Sequence, residues 1–111
     1  MAMYNTQLGQ SRPSGTTAAS IYSPAASTQT IVSHVIIANT SGAAATFRLF
    51  HDDDGTTYDE TTALAWDVAI AADETVTFDT AIAMADSSGN LAVRTDTADA
   101  LTFTAYGMEL T

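Results

Sequence analysis

Bulky apolar residues in this chain recur at every second position, in short runs separated by turn-forming residues. That period suits an extended strand, whose side chains alternate between two faces, and not a helix. Residues 62–70 set Leu64, Trp66, Val68 and Ile70 against Ala63, Ala65, Asp67 and Ala69. Residues 44–51 set Phe47 and Leu49 against Thr46 and Arg48, and residues 74–79 set Val76 and Phe78 against Thr75, Thr77 and Asp79. Leu91 and Val93 alternate with Ala92 and Arg94 in 90–95, as Leu101, Phe103 and Ala105 do with Thr102, Thr104 and Tyr106 in 100–110. A first strand near 16–23 has Ala19 and Ile21 against Ser20 and Tyr22. In 28–39 both parities are apolar, Ile31, Val35 and Ile37 against Val32, His34, Ile36 and Ala38, which predicts a strand covered on both sides. Turn residues such as Asn39-Thr40-Ser41-Gly42 separate the runs. Seven strands follow, or eight if Ala81 to Met84 pairs separately. The predicted fold is all-β: a single antiparallel β-sandwich, jelly-roll-like, spanning 16–111.

Residues 1–15 show no sustained period and contain the breakers Pro13 and Gly15, so they read as an extended N-terminal arm. A chain of 111 residues holds one domain with one modest core. Alanine supplies much of its 46% hydrophobic content, so each larger apolar group has to be well placed. There is no cysteine, which excludes disulfides and thiolate metal sites. Thirteen acidic residues face three arginines and no lysine, a net charge of −10 that repels nucleic acid and anionic membranes. No run of about 18 apolar residues is present for a membrane helix. Met1 to Gln7 lack the basic and apolar regions of a signal peptide, so synthesis and assembly in a cytoplasm are expected.

The candidate chemical motifs are weak. Asp52-Asp53-Asp54-Gly55 suggests a calcium loop, but with Gly55 at the sixth position of an EF-hand the first and twelfth ligands fall on Phe50 and Thr61. A solvated turn is the better reading, with an irregular cation site on Asp52, Asp54, Asp59 and Glu60 as the alternative. His34 and His51 match no zinc spacing; His34, amid apolar neighbours, reads as a hydrogen-bonded core or interface group. No nucleophile elbow or phosphate loop occurs, so no catalytic, cofactor or metal residue is assigned and the chain reads as a non-enzyme acting by binding. Trp66 shares its parity with Leu64, Val68 and Ile70 and is expected in the core. Tyr22 and Tyr106 fall on outward positions and Arg48 and Arg94 among acidic neighbours, where each arginine makes either a surface ion pair or a contact to a carboxylate of another copy. Met3, Tyr4, Leu8 and Arg12 make the arm more anchor-like than a plain flexible tail. The interface candidates are therefore Met3, Tyr4, Leu8, Arg12, Tyr22, Arg48, Arg94 and Tyr106.

The stretch Ile21 to Phe50, IYSPAASTQTIVSHVIIANTSGAAATFRLF, carries a Tyr-x-Pro-Ala corner, a long strand ending in Ala-Asn-Thr, and a Thr-Phe-Arg-Leu strand. An acidic DDDGTTYDETTAL loop, ADETVTF, Gly-Asn-Leu-Ala-Val-Arg and a closing Leu-Thr-Phe-Thr-Ala-Tyr-Gly strand follow. Over about residues 16–110 this pattern resembles the small β-sandwich virion proteins encoded by tailed phages. The resemblance implies a capsid decoration (cement) protein on the capsid exterior, with the major capsid protein as partner. A tail, neck or fibre component is the alternative. We expect a homo-oligomer, a trimer first. Outside that class the rival is a carbohydrate-binding module presenting aromatic side chains.

Overall fold

The computed structural model describes the backbone of residues 3–110 and the side chains of residues 6–110. Eight strands run in order: β1 (Met3–Ser11), β2 (Ala19–Tyr22), β3 (Gln29–Asn39), β4 (Ala45–Asp52), β5 (Ala63–Ile70), β6 (Thr75–Met84), β7 (Asn90–Thr95) and β8 (Leu101–Leu110). They form two four-stranded sheets, β1-β8-β3-β6 (sheet A) and β2-β7-β4-β5 (sheet B). All pairings are antiparallel. Strands equidistant from the chain midpoint pair with one another: β1 with β8, β2 with β7, β3 with β6 and β4 with β5. The chain is thus one long antiparallel ribbon wound over itself into two sheets, which is the jelly-roll arrangement.

Between the sheets lies a core of branched aliphatics and phenylalanine. Val35, Ile37, Leu101, Phe103 and Ala105 from sheet A face Phe47, Leu49, Leu91 and Val93 from sheet B. Phe47 and Phe103 meet across the layers edge to face, with ring centroids 6.3 Å apart at 73°. Asn39, 3% exposed, closes one end of the sandwich. Its amide nitrogen donates to the carbonyls of Ala43, Ile70 and Ala71, and its oxygen accepts from the Ser41 amide and hydroxyl. Every polar atom of that buried side chain is satisfied, as the low-dielectric interior demands.

Three local readings from the sequence change. Within the expected arm, Met3 to Ser11 is extended and hydrogen-bonded to β8 as an edge strand of sheet A. It supplies the eighth strand, while Ala81 to Met84 continue β6. Gly9 lets β1 approach β2, because a Cβ there would overlap the Ile21 carbonyl, and Gly107 leaves room for the Leu8 side chain of β1 and for the Ile31 carbonyl of β3. Strand β3 is not covered on both sides. A bulge at Ser33 shifts its pairing with both neighbours, so Thr30 and Val32 point inward before it and Val35 and Ile37 after it. Ile31 is consequently half exposed and His34 lies on the outer face.

Trp66 is the third correction. Phe47 pairs with Val68 but Leu49 with Ala65, so β5 spends one residue more than β4 over that interval. Asp67 absorbs the excess at a positive φ of 51°, a left-handed conformation that aspartate tolerates better than bulky residues. The parity resets there: Ile70 is buried and Ala65 packs against the core, while Leu64 and Trp66 turn outward, 40% and 41% exposed. Val68, on the Ile70 parity of this edge strand, is itself 39% exposed.

Candidate functional site

The outer face of sheet B concentrates aromatic and cationic groups. Phe50 is buried although it lies on that face, because Tyr58 and Trp66 cover it, with ring centroids 6.1 and 6.2 Å away. The Arg48 guanidinium lies over the Trp66 ring, 3.6 Å from its centroid, a cation–π contact. Arg48 also grips Asp67 with two bonds, Nε to Oδ1 at 2.6 Å and the second nitrogen to Oδ2 at 3.0 Å. Those hydrogen bonds hold the Asp67 carboxyl below the usual carboxylate range and push Arg48 upward. Arg94, paired with Arg48 in register, stands 3.7 Å from the same carboxylate and donates Nε–H to the Thr16 carbonyl at 3.1 Å.

The outer face of sheet A carries a row that crosses all four strands at the level of the bulges: Gln7, Tyr106, His34 and Asp79. His34 Nδ1 and Asp79 Oδ1 are 2.5 Å apart and both side chains are largely exposed. Gly107 and Ser33, having little or no side chain, leave a shallow groove of about 480 Å³ beside the row, lined also by Thr6.

The other sequence candidates occupy different places. Tyr22 does not point outward. It packs against the core, and its hydroxyl bridges Thr30 at 2.7 Å and Glu109 at 2.8 Å. Burial, with the Glu109 carboxylate beside it, pushes its phenol up to about 12. Tyr22 pairs irregularly with Leu91, and that shift at the end of the short strand β2 turns the ring inward. Leu8 is likewise spent inside, at the bulge in β1 between Gln7 and Gly9, where it packs against the core. Arg12 donates to the Asp99 carbonyl at 2.6 Å. Tyr106 lies on the outer face, 39% exposed. The Met3 and Tyr4 side chains lie outside the described residues.

In the acidic loop the carboxylates serve the loop itself. Asp52 accepts from the amides of Asp54 and Thr57, and Asp59 from the Thr61 amide and hydroxyl, which lowers both below the ordinary carboxylate range. Asp54 is held above that range by its hydrogen bond to, and repulsion from, Asp52. Among the described residues, no three histidine or carboxylate side chains converge as a metal site would require. Sequence reasoning missed the Trp66–Arg48–Asp67 cluster because the parity reset at Asp67 hid it.

No family model and no curated protein matches the chain. Solved structures do. The T13 viral particle of infectious bursal disease virus aligns at 15% identity and a TM-score of 0.54, covering 97% of this chain and 30% of that one. The VP2 subviral particle of the same virus aligns at 18% and 0.50, covering 97% and 31%. A Gx-strain structure of that virus aligns at 16% and 0.50, covering 97% and 32%. What is shared is the fold. This chain spans about a third of the length of those chains, and its jelly roll is one that viral particles contain.

Proposed function

We propose that this chain is a structural component of a virion that acts by binding rather than catalysis. In its finer form the reading is a decoration protein on the capsid exterior, seated on the major capsid protein lattice as a homo-oligomer. The observation that carries it is the jelly roll, complete in eight strands and aligned over 97% of the chain with structures of viral particles. The tailed-phage resemblance in the sequence supports the same reading. A small all-β domain repeated over a lattice turns weak contacts into firm attachment through multivalency. A tail, neck or fibre position is the rival within virions.

A glycan-binding module is the second reading, favoured by one observation: Trp66 is half exposed rather than in the core. Arg48 already occupies one face of that ring and Phe50 meets it edge to face, which leaves little of a flat platform. The test is co-sedimentation of purified protein with capsids lacking it, read as saturation against added protein. Saturable pelleting at a fixed number of copies per particle is expected. No pelleting with capsids, together with saturable retention on a glycan matrix, would replace the virion reading with the second one.

A further inference from the structure

Arg48 and Arg94 stand directly opposite one another on neighbouring strands of sheet B. Like charges so placed repel. Among the described residues a single carboxylate, Asp67, lies within ion-pair distance of the two. It is fully engaged by Arg48 and only 3.7 Å from Arg94, whose one internal hydrogen bond is to a backbone carbonyl. Two cations thus share one anion on a chain whose net charge is −10. Beside them Trp66 and Leu64 are exposed, and tryptophan with arginine is the composition found at the energetic centres of interfaces.

We propose that this face receives a carboxylate from a second copy of the chain, supplied by the Asp52–Glu60 loop. The choice of occupant rests on charge complementarity. A net charge of −10 keeps copies apart over most of their surface. Two of the chain's three arginines stand side by side on the Arg48–Arg94 face, and the loop is the densest acidic run in the sequence. Within that loop Asp52 and Asp59 are tied to their own backbone amides, while Asp53, 3.5 Å from His51, and Asp54, bonded to Asp52, have exposed side chains. The far end of the loop, Tyr58 and Glu60, borders that face beside Phe50 and Trp66. Asp53 lies on another patch, with Thr30, Ile31 and Met84, so the contact is heterologous: it propagates from copy to copy, closing into a ring where the rotation permits. The inference rests on reading the chain as an assembling virion component, and it is tested on the protein alone.

Sedimentation velocity would compare the wild type, Arg94→Glu, and the double variant Asp53→Arg/Asp54→Arg, with a mixture of the two variants. The wild type is expected to self-associate and to weaken as salt is raised. Each variant should lose about tenfold or more in self-affinity, the range of a close interfacial charge pair, and the mixture should regain association. The loop variant changes no strand residue, so it carries the test if Arg94→Glu fails to fold. A wild type that stays monomeric at low salt, variants that associate like wild type, or folded variants that stay apart when mixed would each overturn the proposal. Capsid co-sedimentation of the same variants separates this interface from the virion reading, since a monomeric protein that still pellets saturably refutes only the former.

Discussion

Asn39, Tyr22 and Gly107 each do work that only their own atoms permit. Asn39 satisfies three carbonyls and orders the turn after β3, so Asn39→Ala strands the buried Ile70 carbonyl. A loss of about 1–3 kcal/mol in urea denaturation is the expected cost. Tyr22 is a proton-linked tie between the sheets: its folded phenol titrates at about 12, above the ordinary 10.0. A raised value means that the folded state holds the proton more tightly. Its stabilising contribution is therefore whole below pH 10 and lost as pH rises from there towards 12. Tyr22→Phe removes two hydrogen bonds, and a loss of about 1 kcal/mol at neutral pH should shrink above pH 10, as followed by fluorescence-monitored unfolding. Equal losses at neutral and alkaline pH would show that the hydroxyl is not the titrating tie. Gly107→Ala drives a methyl into the Ile31 carbonyl and against Leu8, so β1 amides should exchange faster with solvent than those of β4 in the same variant.

At the level of elements, the period-two pattern located β3, β4, β5, β7 and β8 to within a residue, began β2 three residues early and stopped β6 short, because β-branched and aromatic residues dominate these runs. What the pattern did not reveal is where alternation slips. Ser33 and Asp67 each reset the inward parity, and a bulge has no periodic signature of its own. Those two slips account for His34 and Trp66 lying outside rather than in the core. Strand β1 was illegible for another reason: Gln, Asn and Ser carry no hydrophobic alternation, and its place is fixed by backbone pairing with β8 and by close approach at Gly9. Deleting Ser33 removes the slip and would turn either Val32 or Val35 with Ile37 outward, so loss of the cooperative thermal transition is expected from calorimetry. A Ser33 deletion that melts like wild type would mean that the bulge is not what sets the register.

Across the whole molecule, acidity and topology decide how the protein behaves. Asp52, Asp59, Asp67 and Asp96 all have carboxyls lowered by hydrogen bonds from amides, hydroxyls or Arg48. Their contributions are present above the unfolded carboxylate value of about 3.9 and lost as pH falls through the lower folded values. Asp54, raised beside Asp52, has the opposite sign and offsets part of that loss. Thermal melts should thus hold steady near neutrality and fall once pH drops below about 4. Substituting Asp67→Asn should remove much of the acid sensitivity of sheet B and leave Arg48 and Arg94 to repel, a penalty that shrinks as salt is raised. The jelly roll itself imposes no chemistry on a chain and hosts many roles. The central claim, a virion component that decorates a shell, is tested most directly by adding purified protein to capsids that lack it and imaging the particles. Density of this jelly roll repeated at regular lattice positions is the predicted result. Density confined to a single vertex, or bare capsids at saturating protein, would contradict it.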